Sequence, residues 1–201
     1  MTQDTQNHEW KRKIPNALTA FRFLIVPFFV YLLLYPTQER MLWAAVVFLL
    51  AALTDWLDGF IARLYNAESI LGKLLDPLAD KILVMSALVM LSAIPIGSNL
   101  SAGHYVPAWL VVILLAREFL VTGLRSVAAV KGTVVAASCL AKYKTALTMI
   151  AIILLLIGPS FKLPFFGMNF YLLGIIFLWL SAIVSVVSGM QYAVRLRRFL
   201  S

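Results

Sequence analysis

The sequence is short of charge, and that shortage excludes most soluble folds. Only 13% of its 201 residues are Asp, Glu, Lys or Arg, while 62% are apolar. Soluble domains run near half apolar with about a quarter charged. A water-facing surface cannot be assembled from this inventory, so the surrounding solvent must be lipid. Sulfur and imidazole are scarce as well. Cys139 is the single cysteine. It excludes an internal disulfide, and in its apolar run it reads as a small buried hydrophobe rather than a catalytic thiol. His8 and His104 are too isolated to suggest a metal site. There is no Gly-rich phosphate loop and no zinc-type cluster. A signal-peptide cleavage pattern is missing too: Met1 to Trp10 is polar, and Lys11-Arg12-Lys13 leads straight into an apolar run. The N-terminus is therefore expected to be retained.

What is present is a series of long apolar runs. A membrane-spanning helix needs about 20 mainly apolar residues. Six stretches qualify: Leu18 to Tyr35, Met41 to about Leu64, Ile70 to Ile94, Val106 to Val130, Ser138 to Ile157, and Tyr171 to about Val194. Breakers at Pro36, Pro95-Ile96-Gly97-Ser98, Gly158-Pro159 and Pro164 separate several of them. With no internal repeat and no low-complexity linker, residues 1–201 read as one all-α integral membrane domain behind a short polar lead-in, 1–17. Arg12 to Phe23 reads equally as an amphipathic lead-in at the interface or as the start of the first span.

The net charge is +8. In a soluble protein this would raise nucleic acid as a partner. In a membrane protein, basic residues mark cytoplasmic loops and anionic head groups, so no nucleic-acid partner is expected. Lys11, Arg12, Lys13, Arg63, Lys131, Lys142, Lys144, Arg195, Arg197 and Arg198 fall at or near ends that share one side; Arg40 and Lys162 fall opposite. Both termini are therefore expected in the cytoplasm of a multi-pass protein of the cell membrane.

The carboxylates point to chemistry. Of five Asp residues, four (Asp55, Asp58, Asp76 and Asp80) lie inside the second and third apolar runs. Ionisable groups at membrane depth are costly and by default do work. Spacings of three and four put each pair on one face of its helix. The connection near Tyr65-Asn66-Ala67-Glu68-Ser69 is short, so the two helices should form an antiparallel hairpin. Asp55 then lies level with Asp80, and Asp58 with Asp76, roughly 16 and 11 Å from the turn. Ala62 and Gly72 also match, and two small residues allow close backbone approach. A kink at Pro77 would disturb this register. Converging carboxylates without thiol or imidazole suit a hard cation, Mg²⁺ or Mn²⁺. Two such ions can clamp both oxygens of a phosphoryl-type displacement. The structural alternative is a set of ion pairs with Arg63, Lys73 and Lys81, but four acids facing three bases leave a surplus of acid. A divalent-cation transporter is a third reading; there Gly59, Arg63 and Gly72 have no purpose and a fixed Arg would repel the ion.

At this point the residues resemble a family. Asp55-x2-Asp58-Gly59-x2-Ala62-Arg63-x8-Gly72-x3-Asp76-x3-Asp80 matches the CDP-alcohol phosphotransferase signature at every fixed position, and the resemblance covers most of the chain. It implies that Asp55, Asp58 and Asp76 are metal ligands, with Asp80 sharing a metal and acting as general base. It implies contacts to the CDP-lipid from Gly59, Arg63, Ser69 and Gly72. Gly59 lets a nucleotide approach the helix, and Arg63 offers a charged fork for the diphosphate. Ser69 lies near free backbone N–H groups and serves equally as an N-cap. The resemblance also implies a homodimer.

Flanking segments resemble the bacterial phosphatidylglycerophosphate synthase branch of that family: Ile14-Pro15-Asn16-x2-Thr19-x2-Arg22, Ala116-Arg117-Glu118-Phe119-Leu120 with Gly123-Leu124-Arg125, and Lys142-x-Lys144-Thr145. That branch uses CDP-diacylglycerol as donor and glycerol 3-phosphate as acceptor. Ala141 and Thr148 depart from it, standing where Gly and often Gln are expected. A phosphorylated acceptor needs a basic pocket, which Arg117, Arg125, Lys142 and Lys144 would supply. The competing readings are an Arg117–Glu118 ion pair and snorkelling of the two lysines. The same chemistry with inositol phosphate, phosphatidylglycerol or serine as acceptor stays open here.

Overall fold

A computed structural model of the chain describes residues 24–65, 70–95, 103–130, 139–158 and 169–200; side chains are described for 24–54, 81–95, 103–128, 143–158 and 169–195. The secondary structure of the described residues is helical, with no strand among them. The helices are α1 (Leu24–Leu34), α2 (Gln38–Tyr65), α3 (Ile70–Ala93), α4 (Ala108–Val130), α5 (Cys139–Ile157) and α6 (Phe170–Leu200). They follow the apolar runs, with ends moved by local chemistry. Thr37 starts α2 ahead of the run: its Oγ1 accepts from the Arg40 N–H at 3.3 Å, and its carbonyl accepts from Met41 N–H at 2.9 Å. This is N-capping, and Glu39 in the first turn suits the positive end of the helix. Pro107 delays α4 to Ala108, and its carbonyl takes the Leu110 N–H at 3.0 Å. α3 continues through Pro77. α6 runs past Val194 to Leu200 and carries Arg195, Arg197 and Arg198 toward its C-terminal end, where cations are favoured.

The helices fall into two compact units, Met1–Met90 and Leu91–Ser201. In the first, Phe29 and Leu33 of α1, Met41, Ala44, Ala45, Phe48 and Ala51 of α2, and Leu83, Ala87 and Leu88 of α3 are buried. The α2 set recurs at three and four residues, the single stripe of a packed helix. Phe29 and Phe48 lie 6.0 Å apart, tilted by 46°. The Thr54 hydroxyl, one residue before Asp55, donates to Leu50 O at 2.7 Å and so needs no other partner in an apolar helix.

In the second unit α6 packs on both α5 and α4. Ile152, Leu155 and Leu156 of α5 and Leu178 of α6 are fully buried. The α6 sequence Ser181-x3-Ser185-x3-Gly189 repeats small residues every turn, a pattern that lets helix backbones approach closely. Close approach is tightest at Gly174: a Cβ there would sit 2.8 Å from Leu155 Cγ and 3.0 Å from Leu155 N. Gly174→Val is therefore expected to push α5 off α6 and cost about 1–3 kcal/mol, read as a lower unfolding temperature in detergent.

Near the α3–α4 connection, Tyr105 closes the unit. Its N–H reaches Ile94 O at 2.8 Å, beside a bridge between Pro95 and His104. Its hydroxyl donates to Leu155 O at 2.8 Å, and Tyr171 donates to Tyr105 O at 3.0 Å. Burial, with the Tyr171 phenol beside it, holds the Tyr105 phenol above its usual range, so it stays a donor. Trp109 and Trp179 meet edge to face at 5.2 Å. Each of the six helices also turns large apolar side chains outward, among them Phe28, Trp43, Val89, Phe119, Ile150 and Ile183. Among the described residues Phe170–Arg195 is the one segment long and apolar enough to cross a membrane; Leu24–Leu34, Lys81–Ala93 and Tyr143–Ile157 are shorter apolar helices.

Candidate active site

The four carboxylates of the second and third apolar runs belong to two helices of the first unit. Asp55 and Asp58 lie toward the C-terminal end of α2, and Asp76 and Asp80 lie in the first half of α3. Helical backbone at these positions makes spacings of three and four same-face spacings. The meeting of the four carboxylates, the Arg63 side chain and what surrounds Gly59 and Gly72 lie outside the described side chains; Ser69 lies outside the described residues. Four carboxylates on helical backbone are a hard-oxygen donor set, which fits Mg²⁺ or Mn²⁺. Among the described residues no group of three or more His, Cys, Asp or Glu comes together.

The basic cluster belongs to the second unit, and there the side chains are in view. Arg117 of α4 crosses to α6. Its Nε donates to Ser185 O at 2.8 Å and its Nη2 to Ser188 Oγ at 2.6 Å. Its Nη1 donates to Glu118 Oε2 at 3.1 Å. Gly189 makes room for this crossing, since a Cβ there would lie 3.3 Å from both Cγ and Nε of Arg117. Lys144 of α5 donates to the same Glu118 oxygen. The structure thus brings Arg117 and Lys144 together around one carboxylate, and the Arg117–Glu118 ion pair forms as one of the two sequence readings had it. Arg125, two turns along α4, stands apart with its guanidinium 5.8 Å from the centre of the Tyr192 ring, within cation–π range. The Lys142 side chain is outside the described side chains.

Serines that spacing alone does not single out complete the cluster. Ser181, Ser185 and Ser188 are buried, as is Thr148. Thr148 and Ser181 hydroxyls lie 2.5 Å apart, and Ser188 Oγ also reaches Ser185 O at 3.0 Å. The one sequence signal for them is polar residues recurring at four and three along an otherwise apolar helix. Buried hydroxyls there must find partners, and these do.

The described helices thus carry four carboxylates on α2 and α3 and, separately, a cluster of cations on α4 and α5. A sequence profile described as CDP-alcohol phosphatidyltransferase matches residues 12–187. The chain belongs to this family of transferases of phospholipid biosynthesis. Similar proteins include the CDP-diacylglycerol–glycerol-3-phosphate 3-phosphatidyltransferase of Bacillus subtilis (strain 168), 38% identical with 89% of this chain and 92% of the relative covered. The proteins of the same name from Wigglesworthia glossinidia brevipalpis and Rickettsia bellii (strain RML369-C) are 33% and 37% identical, again with 89% of this chain and 92% of each relative covered.

Proposed function

We propose that the chain transfers the phosphatidyl group of CDP-diacylglycerol to glycerol 3-phosphate, giving phosphatidylglycerophosphate and CMP. The observation that carries this reading is the unbroken Asp55–Asp80 motif on α2 and α3, in a chain whose relatives bear the name of that reaction. The basic cluster favours a phosphorylated acceptor over serine.

Asp55, Asp58 and Asp76 would hold the divalent ions, Mg²⁺ or Mn²⁺ and two in number, with Asp80 shared. When bound, such ions neutralise diphosphate charge and steady the attacking and leaving oxygens. Gly59 and Gly72 leave room for the nucleotide and for the neighbouring backbone. Arg63 binds the diphosphate with a bidentate fork, and Ser69 contributes a hydroxyl at the start of α3. Asp80 takes the proton of the acceptor's 1-hydroxyl, and its acidic neighbours raise its affinity for that proton. The freed oxygen attacks the phosphorus that bears diacylglycerol; the new P–O bond forms as the P–O bond to CMP breaks. Arg117, Arg125, Lys142 and Lys144 serve the acceptor phosphate.

The outward apolar side chains on all six helices support a multi-pass location, since exposure on this scale in water would drive aggregation. In this reading six helices span the cell membrane, both termini and the active site face the cytoplasm, and two chains form a homodimer. An assay of purified protein with CDP-diacylglycerol, Mg²⁺ and each of glycerol 3-phosphate, inositol phosphate, serine and phosphatidylglycerol tests it. CMP release is expected with glycerol 3-phosphate, and loss of that release on chelation. Release with another acceptor alone overturns the assignment.

A further inference from the structure

The cluster on α4, α5 and α6 holds more order than a basic patch needs. Lys144 is fixed at both ends. Its carbonyl accepts from Thr148 Oγ1 at 2.9 Å and from Ser181 Oγ of α6 at 3.3 Å. Its ammonium is held by Glu118 Oε2 of α4. That oxygen also takes Arg117 Nη1, and Arg117 is itself tied to α6 through Ser185 O and Ser188 Oγ. Arg117 and Lys144 are 11% and 12% exposed and Glu118 25%, so solvent weakens these bonds little. A free lysine stem samples many rotamers, and a ligand that recruits it must freeze them. Here the freezing is done before any ligand arrives.

We propose that Glu118 is a positioning residue for the acceptor, holding the Lys144 ammonium where it meets the phosphate of a small phosphorylated alcohol, with Arg117 as the anchor that fixes Glu118 to α6. This rests on the glycerol 3-phosphate reading above. Glu118 does not touch the substrate, since its own charge repels a phosphate. Among the described side chains, two cations share this one carboxylate, an excess of one positive charge that favours an anion. Three of the five N–H donors of Arg117 are spent on Ser185, Ser188 and Glu118, so it anchors Glu118 and keeps two donors for the phosphate.

The test uses the purified full-length protein with Mg²⁺, CDP-diacylglycerol and glycerol 3-phosphate, reading CMP release. Glu118→Gln is expected to raise the KM for glycerol 3-phosphate about tenfold, with kcat within about threefold and the KM for CDP-diacylglycerol unchanged. Gln keeps the size but gives up the charge that gathers both cations. An acceptor KM that stays level or falls overturns the proposal, because Glu118 is then only a counter-charge opposing the anion. Equal changes in both KM values, or a loss in kcat alone, overturn it too, as signs of general disruption. Ser188→Ala removes one anchoring bond and no charge. It is expected to raise the acceptor KM about threefold with the same selectivity, and it decides the matter if Glu118→Gln does not fold. Wild-type turnover of glycerol 3-phosphate with both variants unaffected rejects the positioning role alone; wild-type protein inert toward glycerol 3-phosphate rejects that role and the functional reading together.

Discussion

Asp80→Asn is expected to lower CMP release about 10³- to 10⁴-fold, the upper part of the range that general acid–base catalysis contributes, while Mg²⁺-dependent binding of CDP-diacylglycerol persists. Asn has the shape of Asp and keeps one coordinating oxygen, but it cannot accept the proton of the attacking hydroxyl. The comparison variant is Asp55→Asn, on α2 at the far end of the motif. Proposed as a metal ligand without the base role, it should lose CDP-lipid binding and turnover together. Labelled CDP-diacylglycerol binding and single-turnover CMP release, measured on the same preparations over a range of Mg²⁺, separate the two. Full activity of Asp80→Asn would sink the base assignment. Recovery of its activity at high Mg²⁺ would make Asp80 a metal ligand only.

The second large effect belongs to Arg117. Arg117→Ala should cost about 2–4 kcal/mol of stability, because it leaves the interior of the α4–α6 contact without its hydrogen-bonded cation and opens the space beside Gly189. Thermal unfolding in detergent reads this as a lower midpoint. Arg117→Lys keeps the charge, but a single ammonium cannot reach the Ser185 carbonyl, the Ser188 hydroxyl and Glu118 at once. Its midpoint should fall between those of wild type and Ala. An unchanged midpoint for Arg117→Ala would show that α6 does not depend on this residue.

These two predictions have different origins. The Asp80 prediction is legible in residue order. The spacings of three and four, the lack of thiol and imidazole, and the match at Gly59, Arg63 and Gly72 all follow from the chain itself. So do the helices, because they are long apolar runs, several of them separated by breakers such as Pro36 and Gly158-Pro159. The errors at their ends are small and local: a threonine cap starts α2 at Gln38, and basic residues let α6 run on to Leu200.

The Arg117 prediction could not be made that way. The sequence determined which side chains are charged, which helices carry them, and the family to which they belong. It left Arg117 between a phosphate ligand and an ion-pair partner of its neighbour, and it gave Ser185 and Ser188 no part. Only the packing of α6 against α4 and α5 decided that one arginine bonds a carbonyl and a hydroxyl about 70 residues away along the chain while sharing Glu118 with Lys144. The physical reason is range. Helix formation and same-face spacing are set within a few residues, so they can be read locally. A buried cation takes whatever acceptors the neighbouring helices bring to it, and in a uniformly apolar chain nothing in the local pattern says which helix that will be.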